Sequence, residues 1–156
     1  MIASCMKRQV VVVDPDTTAE EAARLVVAHH VGTLPVVDEQ GVLLGVVRLQ
    51  DLLQVFMPDF LTLIDNIDFV HSFGALEMRP LHELPGARAR KMRELMQAAV
   101  AVEQTAGLLR TLATLSKHQL SDIPVVNDAG ALVGIASRVD IAAEFLTLWL
   151  NPESHA

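Results

Sequence analysis

The stretch Ser121 to Asp140, SDIPVVNDAGALVGIASRVD, occurs twice, and this constrains the fold more than any other feature. Gly32 to Asp51 reads GTLPVVDEQGVLLGVVRLQD, and each residue lies on its partner at a constant offset of 89. Pro35 falls on Pro124, Val36-Val37 on Val125-Val126, Gly41 on Gly130, Gly45 on Gly134 and Asp51 on Asp140. Two prolines, four glycines and two aspartates kept in register mark an internal repeat, so the chain is two copies of one supersecondary unit.

Each copy has the same local physics. Pro-Val-Val opens a short β-branched run that reads as a buried strand. A polar pair and a glycine follow, Asp38-Glu39-Gln40-Gly41 or Asn127-Asp128-Ala129-Gly130, and turn the chain into a second apolar run that pairs back as a hairpin. Gly45 and Gly134 interrupt that second run, where a glycine marks a bulge or a close backbone approach. The closing aspartate, Asp51 or Asp140, stands where a helix N-cap belongs. Ser137 with Asp140 also has the spacing of a capping box.

Upstream, Val10 to Val13 reads as a strand and Asp14-Pro15-Asp16 breaks it. Thr17 and Thr18 precede Glu20-Glu21 with capping-box spacing. Ala19, Ala22, Ala23, Val26 and Val27 then give a helix one apolar face, and its last turn is His29-His30-Val31-Gly32, with the glycine as the C-terminal signal. In the second copy Val100 to Val102 is the strand, Gln104-Thr105 the helix start, and Leu108, Leu109, Leu112 and Leu115 the helix face, ending at His118. The Thr105-to-Pro124 spacing exceeds Thr17-to-Pro35 by one residue, which places a small insertion near the helix start. Ile141 to Leu150 forms a last apolar helix with Phe145, Leu148 and Trp149 on one side. The predicted order in each copy is strand, helix, strand, strand, helix, so the fold class is α/β (α+β).

The expected organisation is repeat 1 over 1–56, an insert and linker over 57–92, repeat 2 over 93–150 and a tail over 151–156. Within the insert, Phe60, Leu63, Ile64 and Ile67 are spaced as an amphipathic helix. Pro58, Pro80, Pro85 and Gly86 mark turns. Arg88, Arg90, Lys91 and Arg93 form the chain's one short basic run.

Composition excludes several classes. With 156 residues, 51% of them apolar, the chain can bury a core, and the surplus suggests a face covered by a second subunit. No run of 18 apolar residues supports a membrane span, and the first residues lack a secretory signal. A single cysteine, Cys5, suits the reducing cytoplasm. A net charge of −7 argues against nucleic acid as a partner. Three of the histidines, His29, His30 and His118, read as helix-end residues favoured by the dipole. Asp65, Asp68 and His71 read as a solvated helix face, so no metal site is assigned. Cys5 has no nucleophilic constellation, and no phosphate loop or serine elbow is present.

Two strand–helix–strand–strand–helix units, each with a leucine or isoleucine before Pro-Val-Val, then Gly-x-x-x-Gly and a closing aspartate, resemble tandem CBS domains, named after cystathionine β-synthase. The stretch from Asp14 to Leu53 and residues 93 to 141 carry the resemblance. The insert is similar to one in bacterial stand-alone CBS-pair proteins. The resemblance implies two repeats packed about a pseudo-twofold axis, two clefts between them, and homodimerisation into a disc. It also implies a non-enzymatic regulatory module that senses AMP, ADP, ATP or S-adenosylmethionine, requires no cofactor beyond magnesium accompanying ATP, and signals to a separate effector protein.

By position, the resemblance implies a ligand site in the second repeat at Ser121, Asp122, Ile123, Pro124, Ser137, Arg138 and Asp140. Asp140 would accept from the ribose diol and Ser137 would bind phosphate. A carboxylate suits two vicinal hydroxyls, and the following helix N-terminus offers amides to an anion. The equivalent first-repeat set is Gly32, Thr33, Leu34, Arg48 and Asp51, in which Arg48 stands where the hydroxyl is expected. That arginine either reaches a phosphate bidentately or closes the cleft with its bulk. The alternative function is a dimerising scaffold that has lost its ligand.

Overall fold

A computed structural model describes residues 1–56 and 85–151; the readings on Phe60 to Ile67, on Asp65, Asp68 and His71, and on the tail lie outside them. After a short 3-10 turn at Ile2–Ser4, the elements are α1 (Ala19–His29), β1 (Thr33–Val37), β2 (Leu43–Arg48), α2 (Leu49–Phe56), α3 (Met92–Leu95), β3 (Val102–Glu103), α4 (Leu108–Lys117), β4 (Asp122–Val126), β5 (Leu132–Ser137) and α5 (Arg138–Leu150).

Both hairpins form as the turn chemistry requires. Asp38 Oδ1 accepts from the Gln40 and Val42 amides, and Asn127 Oδ1 accepts from those of Ala129 and Ala131. Gly41 (φ 79°) and Gly130 (φ 76°) close the turns in the left-handed region, which glycine enters at no steric cost. Both hairpins carry a register irregularity between the two valines that follow the proline.

The two halves meet about a pseudo-twofold axis, because equivalent residues touch each other there. Leu43 N donates to Gly130 O (3.1 Å), and Leu132 N donates to Gly41 O (2.9 Å). Val42 bridges Ala131, and Thr33 Oγ1 donates to Asp122 Oδ2 at 3.3 Å.

Each core is completed by the segment that precedes the other repeat. Ile2 and Met6 are buried with Leu115, Ile123 and Ile141 of the second repeat. Met92 and Leu95 are buried with Leu34, Val36 and Leu52 of the first. Lys7 exchanges two backbone hydrogen bonds with Ile135 (2.8 and 2.9 Å), and Gln97 does the same with Val46 (2.8 and 3.0 Å). This crossing is the close approach that the strand glycines signalled. A Cβ on Gly45 would stand 2.7 Å from Gln97 O, and one on Gly134 would stand 2.7 Å from Met6 Sδ and 3.0 Å from Lys7 O.

Several expectations need correction. Of Val10 to Val13, only Val13 pairs, in parallel with Val36. The valines before it span from one repeat's hairpin to the other's, so among the described residues no strand lies beside them. Lys7 and Gln97 are equivalent at an offset of 90, whereas Val13 and Val102 return to 89. The one-residue difference is therefore an extra residue in the first copy, between Lys7 and Val13, and the helix N-caps Thr18 and Gly107 are back in register. The N-cap of α4 is Gly107 with no side-chain cap, while α1 starts at Thr18, in a capping box with Glu21. The left-handed residue ending α1 is His30 (φ 50°), matched by Gln119 (φ 53°), rather than Gly32.

Leu109 is 63% exposed, and Thr111 takes the buried place between Leu108 and Leu115, its hydroxyl satisfied by Gly107 O at 2.9 Å. Trp149 is 70% exposed. Ile141, Phe145 and Leu148 face the core at helical spacing, and Trp149 falls one step off that stripe.

Candidate functional site

A cleft of about 270 Å3 opens between the repeats beside the start of α5. One wall is the extended leader, Lys7 and Gln9 to Val11; the second is His30 to Thr33, where α1 ends and β1 begins; the third is Asp122, Ile135, Ser137 and Asp140. Strand β5 must end at Ser137 because α5 begins there, and the first-turn side chains of that helix define the cleft floor.

Ser137 is the N-cap of α5 and Asp140 is its third residue, so the aspartate is the partner in a capping box rather than the cap itself. Ser137 Oγ donates to Asp140 Oδ2 (2.7 Å), Ser137 N donates to the same oxygen (3.1 Å), and Asp140 N returns a bond to Ser137 Oγ (3.1 Å). The Lys7 ammonium lies 3.4 Å from Asp140 Oδ2. The contacts to this carboxylate fall on Oδ2, which among the described residues leaves Oδ1 for an outside donor. The Asp140 side chain is 25% exposed. Partial burial opposes its ionisation, but the Ser137 hydrogen bonds and the Lys7 charge outweigh that and hold its carboxyl below the usual range.

Asp122 sits on the pseudo-axis and lines the clefts on both sides of it. Burial pushes its carboxyl above the usual range, the Thr33 hydroxyl and Lys7 pull it back, and Asp140 adds to the rise. Cys5 lies nearby on the leader; burial, then Glu144 and Asp140, push its thiol up, which keeps it a weak nucleophile.

The second cleft, about 300 Å3, is lined by Gly32, Thr33, Arg48, Leu49, Gln50, Leu53 and Gln119 to Asp122. Here Asp51 Oδ2 accepts from Arg48 N (2.8 Å), which is half of the second repeat's box with the hydroxyl missing. Asp51 is not among the residues lining this cleft.

The sequence-derived sets are thus divided and crossed. Ser137, Asp140 and Asp122 come together. Ser121 lines the other cleft, and Ile123 and Pro124 are buried within β4 itself. Arg138 turns away: its guanidinium donates to Leu120 O (3.1 Å) and Leu115 O (3.4 Å), tying down the end of α4. Gly32 and Thr33 line both clefts, and Leu34 is core. Lys7, Gln9 to Val11 and His30 were missed. The repeat itself held the signal, because two halves related by a twofold must lend each other walls across the axis. The basic run lies elsewhere, pairing Arg93 (2.7 Å) and Lys91 (3.2 Å) with Asp16 and Arg88 (3.6 Å) with Glu20. Among the described residues no group of three or more His, Cys, Asp or Glu stands together as a metal site, and no helix is long and apolar enough to cross a membrane.

Paired α/β repeats about a twofold, with a cleft at each helix start, are the architecture of a CBS pair. The CBS domain family model matches residues 2–58 and 92–147, and the chain belongs to that family. CBSX2 from Arabidopsis thaliana superposes with a TM-score of 0.72 at 24% identity, covering 96% of each chain; CBSX2 has also been solved in complex with AMP. The CBS pair of MJ0100, solved with 5'-methylthioadenosine and S-adenosyl-L-methionine, gives 0.67 at 20% identity over 94% of this chain and 96% of that one. The magnesium transporter MgtE of Thermus thermophilus is 36% identical over 80 residues, which is 51% of this chain and 16% of the transporter's length.

Proposed function

We propose that this CBS pair is a regulatory sensor that binds an adenosine-containing ligand in the Ser137–Asp140 cleft and signals to a separate effector protein. The observation that carries the reading is Asp140: an ionised, partly exposed carboxylate with one oxygen anchored by Ser137 and Lys7 and the other uncommitted, at the floor of a cleft between repeats. That geometry suits a ribose diol, and bonds to a charged acceptor are the stronger kind. The cleft lies near the lower end of the volumes small-molecule sites occupy, about 300–1,000 Å3. Relatives of the same fold solved with AMP, or with methylthioadenosine and S-adenosylmethionine, support the ligand class.

A ligand touching His30 to Thr33 of one repeat and Ser137 to Asp140 of the other would favour one arrangement of the halves, and differential affinity is what a sensor needs. Exposed Val139, Leu146, Trp149 and Leu150 on α5 support a homodimer face. Thermal denaturation with an adenosine, AMP, ATP, methylthioadenosine and S-adenosylmethionine panel tests the reading. A ligand at 100 times its Kd should add about 2.7 kcal/mol. No stabilisation by any member would leave the dimerising scaffold, the reading favoured if the Ser137–Asp140 box serves α5 alone.

A further inference from the structure

The geometry points to a charge-selective cleft: the Ser137–Asp140 site takes adenosine derivatives that lack a phosphate chain, and favours a cationic sulfonium over a neutral thioether. This rests on the adenosine reading above and deepens it.

The groups that would hold a phosphate are already spent. The one hydrogen of Ser137 Oγ points to Asp140 Oδ2 at 2.7 Å, so the hydroxyl has no donor left for a phosphate oxygen. Of the first three amides of α5, Arg138 N is bound to Ser121 O (2.8 Å) and Asp140 N to Ser137 Oγ (3.1 Å). Only the Val139 amide remains, too little for an anion site of the helix-terminus kind. The Arg138 guanidinium, the nearest strong phosphate ligand in sequence, is committed to the carbonyls of Leu115 and Leu120.

The remaining charge points the same way. Among the described residues lining the cleft, the acids are Asp122 and Asp140 and the bases Lys7 and His30. Lys7 is already paired with Asp140. Asp122 has a hydroxyl, Thr33, as its hydrogen-bond partner instead of a cation, so an arriving positive charge would find a carboxylate and an arriving triphosphate would meet one. The other cleft differs: Arg48 lines it, and no carboxylate stands within ion-pair distance of its guanidinium among the described residues.

Calorimetry on the full chain with four probes tests this: S-adenosylmethionine, 5'-methylthioadenosine, AMP and ATP. The sulfonium and thioether compounds should bind, with ATP at least tenfold weaker at this site. Binding of the first two should be lost in Asp140→Ala and kept in Arg48→Ala. Asp122→Asn, which preserves shape and the Thr33 contact, should cut the sulfonium-to-thioether preference by about tenfold. AMP or ATP binding tenfold tighter than the thioether, with loss in Asp140→Ala, would overturn the inference and leave the adenosine reading standing. Equal sulfonium and thioether affinities in the unmodified chain would do the same. Silence from all four probes would end both.

Discussion

The two repeats share a backbone plan in register through both hairpins, yet their helix-start sites have diverged. In the second, Ser137 and Asp140 exchange a full capping box, and a lysine from the leader is drawn onto the carboxylate. In the first, Arg48 replaces the hydroxyl, Asp51 keeps only its bond to the Arg48 amide, and it leaves the cleft wall. Asp122, at the axis, belongs to both. The comparison teaches that a twofold fold duplicates scaffold and space, while a single residue, serine or arginine, sets what each space can hold.

The sharpest way to break this comparison is to remove the two aspartates in parallel. Asp140→Ala and Asp51→Ala should each destabilise their helix, by about 1 kcal/mol, in urea unfolding. Only Asp140→Ala should also weaken adenosine-ligand binding, by about 10- to 100-fold, the value of a bond to a charged acceptor. Equal affinity in both variants would remove the functional distinction between the repeats.

Next come the strand glycines. Gly45→Ala should cost about 1–3 kcal/mol, because the new Cβ meets the backbone oxygen of Gln97. Gly134→Ala should cost less, since its closest obstacle is the flexible Met6 thioether end. Paired urea titrations would show the order, and a reversed order would mean that the Met6–Lys7 leader is the more rigidly held.

A smaller gain is expected from Arg48→Ser, which restores the missing half of the box: about 0.5–1 kcal/mol of added stability, read as a rise in Tm.

The smallest effect should come from Asp122→Asn. Its carboxyl is raised in the folded protein, so the unmodified chain loses stability as pH rises from the ordinary carboxylate value, about 3.9, through the folded one. The Asn variant should therefore melt slightly higher at pH 7, and the gap should close toward pH 3. A gap that widens at low pH would show that Lys7 and Thr33 outweigh burial.

Much of the local chemistry could be read from the sequence, although the start of α4 and the residue that ends α1 could not. The Asp38 and Asn127 turns, the Thr18 box and the Ser137–Asp140 spacing depend on residues within four positions of each other, and all formed. The elements that needed contacts between halves were harder to see. Val10 to Val12 has strand chemistry but no neighbouring strand among the described residues. Trp149 is apolar but lies off the packed stripe. The cleft walls were assigned repeat by repeat, whereas the twofold lends His30 to Thr33 to the second repeat's carboxylate. Lys7 is invisible to pattern reading, because its importance comes from a leader crossing to the far hairpin.

That crossing means neither half is a self-sufficient module. Severing the polypeptide between residues 57 and 84 would yield two fragments, each carrying the other's plug: Ile2 and Met6 on one piece, Met92 and Leu95 on its counterpart. Such fragments should be poorly ordered when alone and should reconstitute by complementation when mixed. Between two intact molecules, the same interlock offers a ready route to intertwined dimers through traded leaders.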